Sequence, residues 1–137
     1  MTVSPVTALR KAVRSVLAAD TALATKLLNQ PVHDEAPRGA PTPYLTFGDV
    51  TVGDWSTSTD KGAEQFLVVH AWSTQHGVSE AIGIAADVVR LLNDSNLSLE
   101  GHYLVNMRLL ALETRRESNG RFARASARFR VVTEQNL

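Results

Sequence analysis

The segment AEQFLVVHAWST, at residues 63–74, places the strongest constraint on how this chain can fold. In a β-strand successive side chains point to opposite faces, and here both faces are mostly apolar. One face carries Phe66, Val68, His70 and Trp72, and the other carries Gln65, Leu67, Val69 and Ala71. A strand of this kind lies inside a sheet, with cover on both sides. We therefore expect helices on one face of this strand and another partner on the second face.

Two segments have the three- to four-residue apolar spacing of amphipathic helices. The first begins with Ser4 as the candidate N-cap and Pro5 at the first helical position. Asp20 is the candidate cap of a shorter helix that follows it. The second main helix has Ser79 as its candidate cap. Its predicted apolar face comprises Val78, Ile82, Ala85, Val89 and Leu92.

The remaining segments predict further strands. Apolar and polar side chains alternate enough over residues 44–52 to predict one strand. The polar segment GDWSTSTDKG, at residues 53–62, connects this strand to the strand at 63–74. Residues 97–117 contain a short and then a long strand, and SNG, Ser118 to Gly120, predicts a hairpin into the last strand. The element order is helix, strand, strand, helix, strand, strand. It predicts one α+β domain over residues 1–137, with an antiparallel sheet of about four main strands and two main helices on one face.

Charge is distributed unevenly along the sequence. The chain carries 14 basic and 14 acidic side chains, so its surface as a whole is not built to bind a polyanion. Residues 108–130 nevertheless contain seven Arg and two Glu, whereas residues 1–107 carry seven basic and eleven acidic side chains. A folded chain can therefore present one basic and one acidic surface, which suits self-assembly as well as anion binding.

Much of the basic charge falls in the last strand, RFARASARFRVV, at residues 121–132. Its alternation predicts that Arg124, Arg128 and Arg130 share one face. Two interpretations stay open. These arginines form a solvated or subunit-facing surface, or they form the binding surface of a small nucleic-acid-binding module. Aromatic residues make up only 6% of the chain, which favours the first interpretation because stacking platforms for bases need them.

No motif in the sequence indicates catalysis, a metal or a cofactor. The chain has no cysteine, and its four histidines do not form HExxH or another metal-ligand spacing. The sequence also lacks GxSxG, GxGxxG and GxxxxGK[ST]. No segment approaches the roughly 18 apolar residues of a membrane span, and the N-terminus does not resemble a signal peptide. We expect neither an enzyme nor a membrane protein, and no cofactor.

Five segments, taken in order, resemble a known family. They are LRKAVRSVLAADTALATKL, PVHDEAPRGAPTPYLTFGDVTVGDW, TDKGAEQFLVVHAWS, GVSEAIGIAADVVRLL and LEGHYLVNMRLLALETRRESNGRFARASARFRVVTE. Over nearly the whole chain they resemble the tail completion, or tail terminator, family of long-tailed (siphovirus-like) bacteriophages and phage-derived gene transfer agents.

The resemblance implies a structural role in the virion, after assembly in the host cytoplasm. Family members form a hexameric ring at the head-proximal end of the tail tube, stop its polymerisation and join the tail to the head. The implied partners are further copies of the chain in a homo-hexamer, the major tail tube protein, and the head-side connector or stopper protein. DNA passes through the channel only as cargo.

Three regions are candidates for contacts in such a ring. In the 53–62 connection, Trp55 is a candidate anchor, and Asp60 and Lys61 are candidate polar contacts to the tube or a neighbouring subunit. The alternative is a flexible solvent loop. The Pro-rich loop at residues 30–43 is a candidate connector contact or an ordinary surface connection. Arg124, Arg128 and Arg130 are candidate ring-interface charges, with the lining of a DNA channel as the narrower alternative.

Overall fold

An antiparallel sheet with helices on one face forms the framework of the molecule. The computed structural model describes residues 4–75, 77–117 and 120–135. Its elements, in chain order, are helices α1 (Pro5–Ala19) and α2 (Thr21–Lys26), strands β1 (Tyr44–Phe47), β2 (Thr51–Asp54) and β3 (Gly62–Ser73), helix α3 (Ser79–Leu92), and strands β4 (His102–Arg116) and β5 (Ala123–Gln135). The α+β prediction is confirmed, and the described part of the sheet has five strands.

β3 lies inside the sheet, as its two apolar faces predicted. The strand order is β1, β3, β5, β4, and β2 also pairs with β3. β1 pairs with the C-terminal half of β3, where Phe47 is opposite Val69. β2 pairs with the N-terminal half, where Thr51 is opposite Phe66. The single strand expected at residues 44–52 is therefore wrong, because two short strands occupy this side of β3.

Gly48 separates these two short strands. Its N–H donates to the Val68 carbonyl at 2.8 Å. A Cβ at position 48 would lie 2.8 Å from both the Val68 Cβ and His70 Nε2. The chain therefore approaches β3 too closely for a side chain at this position, and regular pairing is interrupted until Thr51.

Two of the three expected helix starts are confirmed. The Ser4 side chain accepts a hydrogen bond from the N–H two residues later at 3.2 Å, and the Asp20 side chain accepts one from the N–H three residues later at 3.1 Å. The third expectation was wrong, because Ser79 is the first helical residue of α3 and the helix has no side-chain cap. Instead, Glu80 accepts a hydrogen bond from the Ser73 hydroxyl at 2.7 Å. This contact ties the start of α3 to the end of β3.

The core-facing side of α3 is rotated from the predicted one. Its buried residues are Ala81, Ile84, Ala85, Val88 and Leu92. The predicted face shares Ala85 and Leu92 with this set but included Ile82, which is 37% exposed. α3 packs on β3 and β5, and β5 presents fully buried alanines to it. The helix therefore turns its own small residues towards the sheet, which permits close approach.

The core lies between the helices and the odd-numbered residues of β5. Phe129 is the largest of its fully buried side chains, and its cross-strand neighbours are Leu67 and Leu109. The even-numbered residues of β3 and β5 point to the other side of the sheet, which we call the open face. Most of them are half-buried or exposed. Within the described residues, the open face has no helical layer over it.

The connection between β4 and β5 is described in part. Ser118 and Asn119 of the expected SNG hairpin lie outside the described residues. The two strands pair antiparallel up to this point, with Arg116 opposite Ala123. The short strand expected before β4 is reduced to a single bridge between Leu99 and His102.

Candidate assembly surface on the open face of the sheet

The open face carries a row of arginines beside a row of mostly aromatic side chains. Antiparallel pairing places these two rows directly opposite each other on β5 and β3. The opposite pairs are Arg124 and Trp72, Ser126 and His70, Arg128 and Val68, and Arg130 and Phe66. The predicted common face of the three arginines is confirmed, whereas their role in assembly stays a prediction.

Each of these three arginines stacks on an aromatic ring. Such a contact is worth about 0.5–1 kcal/mol at an exposed site and limits the movement of the long side chain. The guanidinium groups are therefore already ordered before any partner arrives. The distances from Cζ to the ring centroid are 5.4 Å for Arg124 over Trp72, 4.8 Å for Arg128 over Phe66 and 4.9 Å for Arg130 over Trp55.

Two of the three arginines also have carboxylate partners. Arg130 Nε donates to Glu64 Oε2 at 2.6 Å, and an Arg124 guanidinium nitrogen lies 3.8 Å from Glu117 Oε1. Within the part of the chain that the structure describes, no carboxylate lies within ion-pair distance of Arg128. The charge of the open face is thus partly neutralised, and Arg128 is the arginine of β5 that offers its charge most directly to an external partner.

β4 adds two arginines to the same face. Arg108 is opposite Arg130, and Arg115 is opposite Arg124. Like charges directly opposite each other destabilise a sheet. Neither residue could be assigned to this face from the sequence, because the two are seven positions apart and strict alternation places such residues on opposite faces. Arg108 and Arg115 therefore add positive charge beside Arg130 and Arg124, whose own charges are partly balanced by Glu64 and Glu117.

Of the three candidate residues in the β2–β3 connection, Trp55 is the one that joins this surface. It lies against Arg130 and is still 50% exposed. Asp60 and Lys61 are exposed near the end of the connection. The Lys61 carbonyl accepts a hydrogen bond from the Gln135 N–H at 2.7 Å, which ties the connection to the end of β5. The three residues thus do not converge on one point.

His70 forms a serine–histidine contact at the centre of the open face. Its Nδ1 lies 2.6 Å from Ser126 Oγ. In a catalytic pair a third group orients the histidine, but among the described residues no carboxylate hydrogen-bonds to this ring. Burial lowers the pKa of His70 below its ordinary value of 6.5, and the nearby Arg124 lowers it further. The ring is therefore neutral near pH 7, and its contact with Ser126 joins β3 to β5 on the open face.

An open cleft of about 640 Å³ lies between the open face and the Pro-rich loop. Arg10 and Arg14 hold one wall in place, since each forms an ion pair of 2.9 Å with Asp34. Charged side chains of both signs line the cleft, which favours a polar protein contact over a small apolar ligand. Its lining includes Asp34, Glu35, Asp49, His70, Trp72 and Arg124.

The described residues hold neither a metal-binding cluster nor a membrane-spanning helix. They contain no group of three or more His, Asp or Glu side chains placed to hold a metal ion. None of their helices has both the length and the apolar character of a membrane span.

Comparisons with known proteins identify the family of this chain. The family model for tail completion protein gp17 matches residues 11–134. A chain in the solved virion of a native gene transfer agent (GTA) particle is similar to this chain, with a TM-score of 0.87 and 30% sequence identity over 97% of this chain and 99% of that chain. No curated protein sequence matches significantly. The resemblance inferred from the sequence is thus confirmed, and the chain belongs to the tail completion protein gp17 family, a family of structural tail proteins.

Proposed function

We propose that six copies of this chain form a ring at the head-proximal end of the tail tube. The ring ends polymerisation of the tube and joins the tail to the head-side connector or stopper protein. The match to the gene transfer agent chain carries this proposal, because it extends over 97% of this chain and 99% of that chain. An entire virion chain with the same fold supports a role as a separate structural subunit. Such a role requires no catalysis, metal or cofactor.

The surfaces of the subunit support an assignment of the contacts in this ring. The major tail tube protein and the connector lie on its two axial sides, and further copies of the chain lie beside each subunit. Trp55 is the candidate anchor for the tube or a neighbouring subunit, because half of its surface is exposed while Arg130 fixes its position. Asp60 and Lys61 supply polar contacts beside it, and the Pro-rich loop is assigned to the connector.

We propose that the arginines of the open face contact protein partners and do not bind DNA. Each phosphate that a protein neutralises adds salt-dependent affinity, so a channel lined with many free arginines would retain DNA that must pass through. Arg124 and Arg130 already have carboxylate partners in the chain itself. This pairing supports the structural role over the small nucleic-acid-binding module.

Particles assembled without this chain are expected to have tails of uncontrolled length and heads without tails. The tube then lacks both its stop and its joint. Electron microscopy gives the distribution of tail lengths and the fraction of joined particles, with the wild-type chain supplied in trans as the control. Normal tails without the chain, or antibody label along the whole tail, would contradict the proposal.

Trp55→Ala is expected to reproduce part of this defect. Normal assembly of particles with Trp55→Ala would remove the role assigned to Trp55.

Arg128→Glu is expected to reduce the number of joined particles at least tenfold while leaving the subunit folded. The side chain is exposed and has no carboxylate partner among the described residues, so its reversal changes a surface contact and little of the core. Lys11→Glu is the charge-reversal control, because Lys11 is exposed on α1 at the covered side of the sheet and loses only a solvent-exposed ion pair with Glu100. Particle yield and DNA release are measured separately. Normal yield with slowed DNA release would instead favour a channel-lining role for the arginine.

A further inference from the structure

The exposed apolar side chains are concentrated at two opposite edges of the sheet. Among residues 4–75, 77–117 and 120–135, nine large hydrophobic side chains are exposed, and seven of them lie at these edges. Exposed apolar groups gathered in this way are typical of contact sites, whereas scattered single ones are normal. The first edge, on β4, carries Tyr103, Val105, Leu110 and Leu112, and the second, in and beside β2, carries Val50, Val52 and Trp55.

The β4 edge (residues 103–116) is the longer of the two. Within the described residues β5 is the one strand that pairs with β4. On the outer side of β4, Asn93 accepts a hydrogen bond from the Leu109 N–H and the Asp94 N–H donates to the Met107 carbonyl, but no strand of the described residues covers this side. Tyr103 and Val105 on this edge are 59% and 53% exposed. Soluble proteins usually shield a long edge strand, because an open one joins other chains. The apolar content of this edge therefore indicates that a partner covers it.

The two edges carry opposite charge. On the β4 edge, the exposed Arg108, Arg115 and Arg116 outnumber the single Glu113. The β2 edge (residues 49–60) contains three Asp and no Lys or Arg. Contact between two β4 edges would bring arginines together, whereas contact between a β4 edge and a β2 edge joins opposite charges and two apolar surfaces.

We infer that the β4 edge of one copy packs against the β2 edge of the next copy. The two edges lie on opposite margins of the sheet, since β4 is at one end of the strand order and β2 is on the far side of β3. Each copy thus meets two neighbours through two different surfaces. This head-to-tail contact closes into a ring when its rotation returns to the first subunit. The inference rests on the proposed ring and names the surfaces that build it.

Cross-linking tests this contact directly, because the natural chain has no cysteine. Val52→Cys and Leu112→Cys place one thiol on each edge, and the side chains they replace are 47% and 41% exposed, so the core is unchanged. Purified particles carrying both substitutions are treated with a short bismaleimide and separated on a denaturing gel. We expect a ladder that ends at six subunits. We expect no band above the monomer for either single variant or for the control Val52→Cys with Ile82→Cys, in which the second thiol is on α3.

Three results would overturn the inferred contact. One is the absence of a ladder in particles with normal tails. Another is a dimer from Leu112→Cys alone, because it would show that two β4 edges meet. The third is an adduct between Leu112→Cys and a different virion protein. The proposed function fails on a separate observation, namely label away from the head-proximal end of the tail, so the two failures are distinguishable.

Discussion

Phe129→Ala is expected to lower the free energy of unfolding by about 3–5 kcal/mol. The Phe129 side chain is fully buried. Its cross-strand neighbours Leu67 and Leu109 belong to the strands on either side of β5, so they cannot fill the cavity without moving the sheet. Domains have only about 5–15 kcal/mol of stability in total. The variant should therefore melt about 10–20 °C below the wild type, as followed by circular dichroism.

Phe66→Ala is the matched control for this substitution. Phe66 is the same residue type on the adjacent strand, but it lies on the open face and is half-buried. Its loss removes the stack with Arg128 and little of the core, so we expect a decrease of about 1 kcal/mol. Equal decreases for the two variants would contradict a core confined to the helical side of the sheet.

Gly62→Ala is expected to lower the free energy of unfolding by about 1–3 kcal/mol, although it adds a single methyl group. A Cβ at position 62 would lie 2.9 Å from the Thr133 carbonyl oxygen and 3.1 Å from the Trp55 carbonyl oxygen. Both are backbone atoms and cannot rotate away, so the β2–β3 connection must shift. Denaturant unfolding measures the loss of stability, and tryptophan fluorescence reports the altered surroundings of Trp55.

Gly53→Ala provides the comparison, because Gly53 lies in the same hairpin and no atom lies within 4 Å of its would-be Cβ. A glycine inside a strand reduces stability by about 0.5–1 kcal/mol relative to alanine. We therefore expect Gly53→Ala to be neutral or slightly stabilising. A decrease as large as that of Gly62→Ala would mean that the close backbone contacts at Gly62 are not the cause.

The sequence predicts the central part of the fold well because strand and helix periodicity dominate there. The two apolar faces of β3 placed it inside the sheet, and Ser4 and Asp20 marked helix starts through their own side chains. The interruption at Gly48 and the rotation of α3 were not predictable from periodicity. Both depend on how closely one element approaches another, which is decided by packing between segments distant in sequence.

The open face shows a similar limit. Alternation within β5 correctly grouped Arg124, Arg128 and Arg130. It could not place Arg108 and Arg115 with them, because β4 has an irregularity between residues 109 and 111 that shifts the alternation by one position. Nor could it identify Glu64 as the partner of Arg130, since that pairing depends on the register between β3 and β5.

The division of exposed apolar side chains between two opposite edges also bears on which assembly intermediates can accumulate. In the proposed ring, any incomplete row of subunits leaves one β4 edge and one β2 edge in water, whatever its length. The final contact covers both edges at once. It forms within a single assembly, where the effective concentration of the two ends is far higher than that of free subunits. Free subunits and closed rings are then the abundant species, and partial rings are rare.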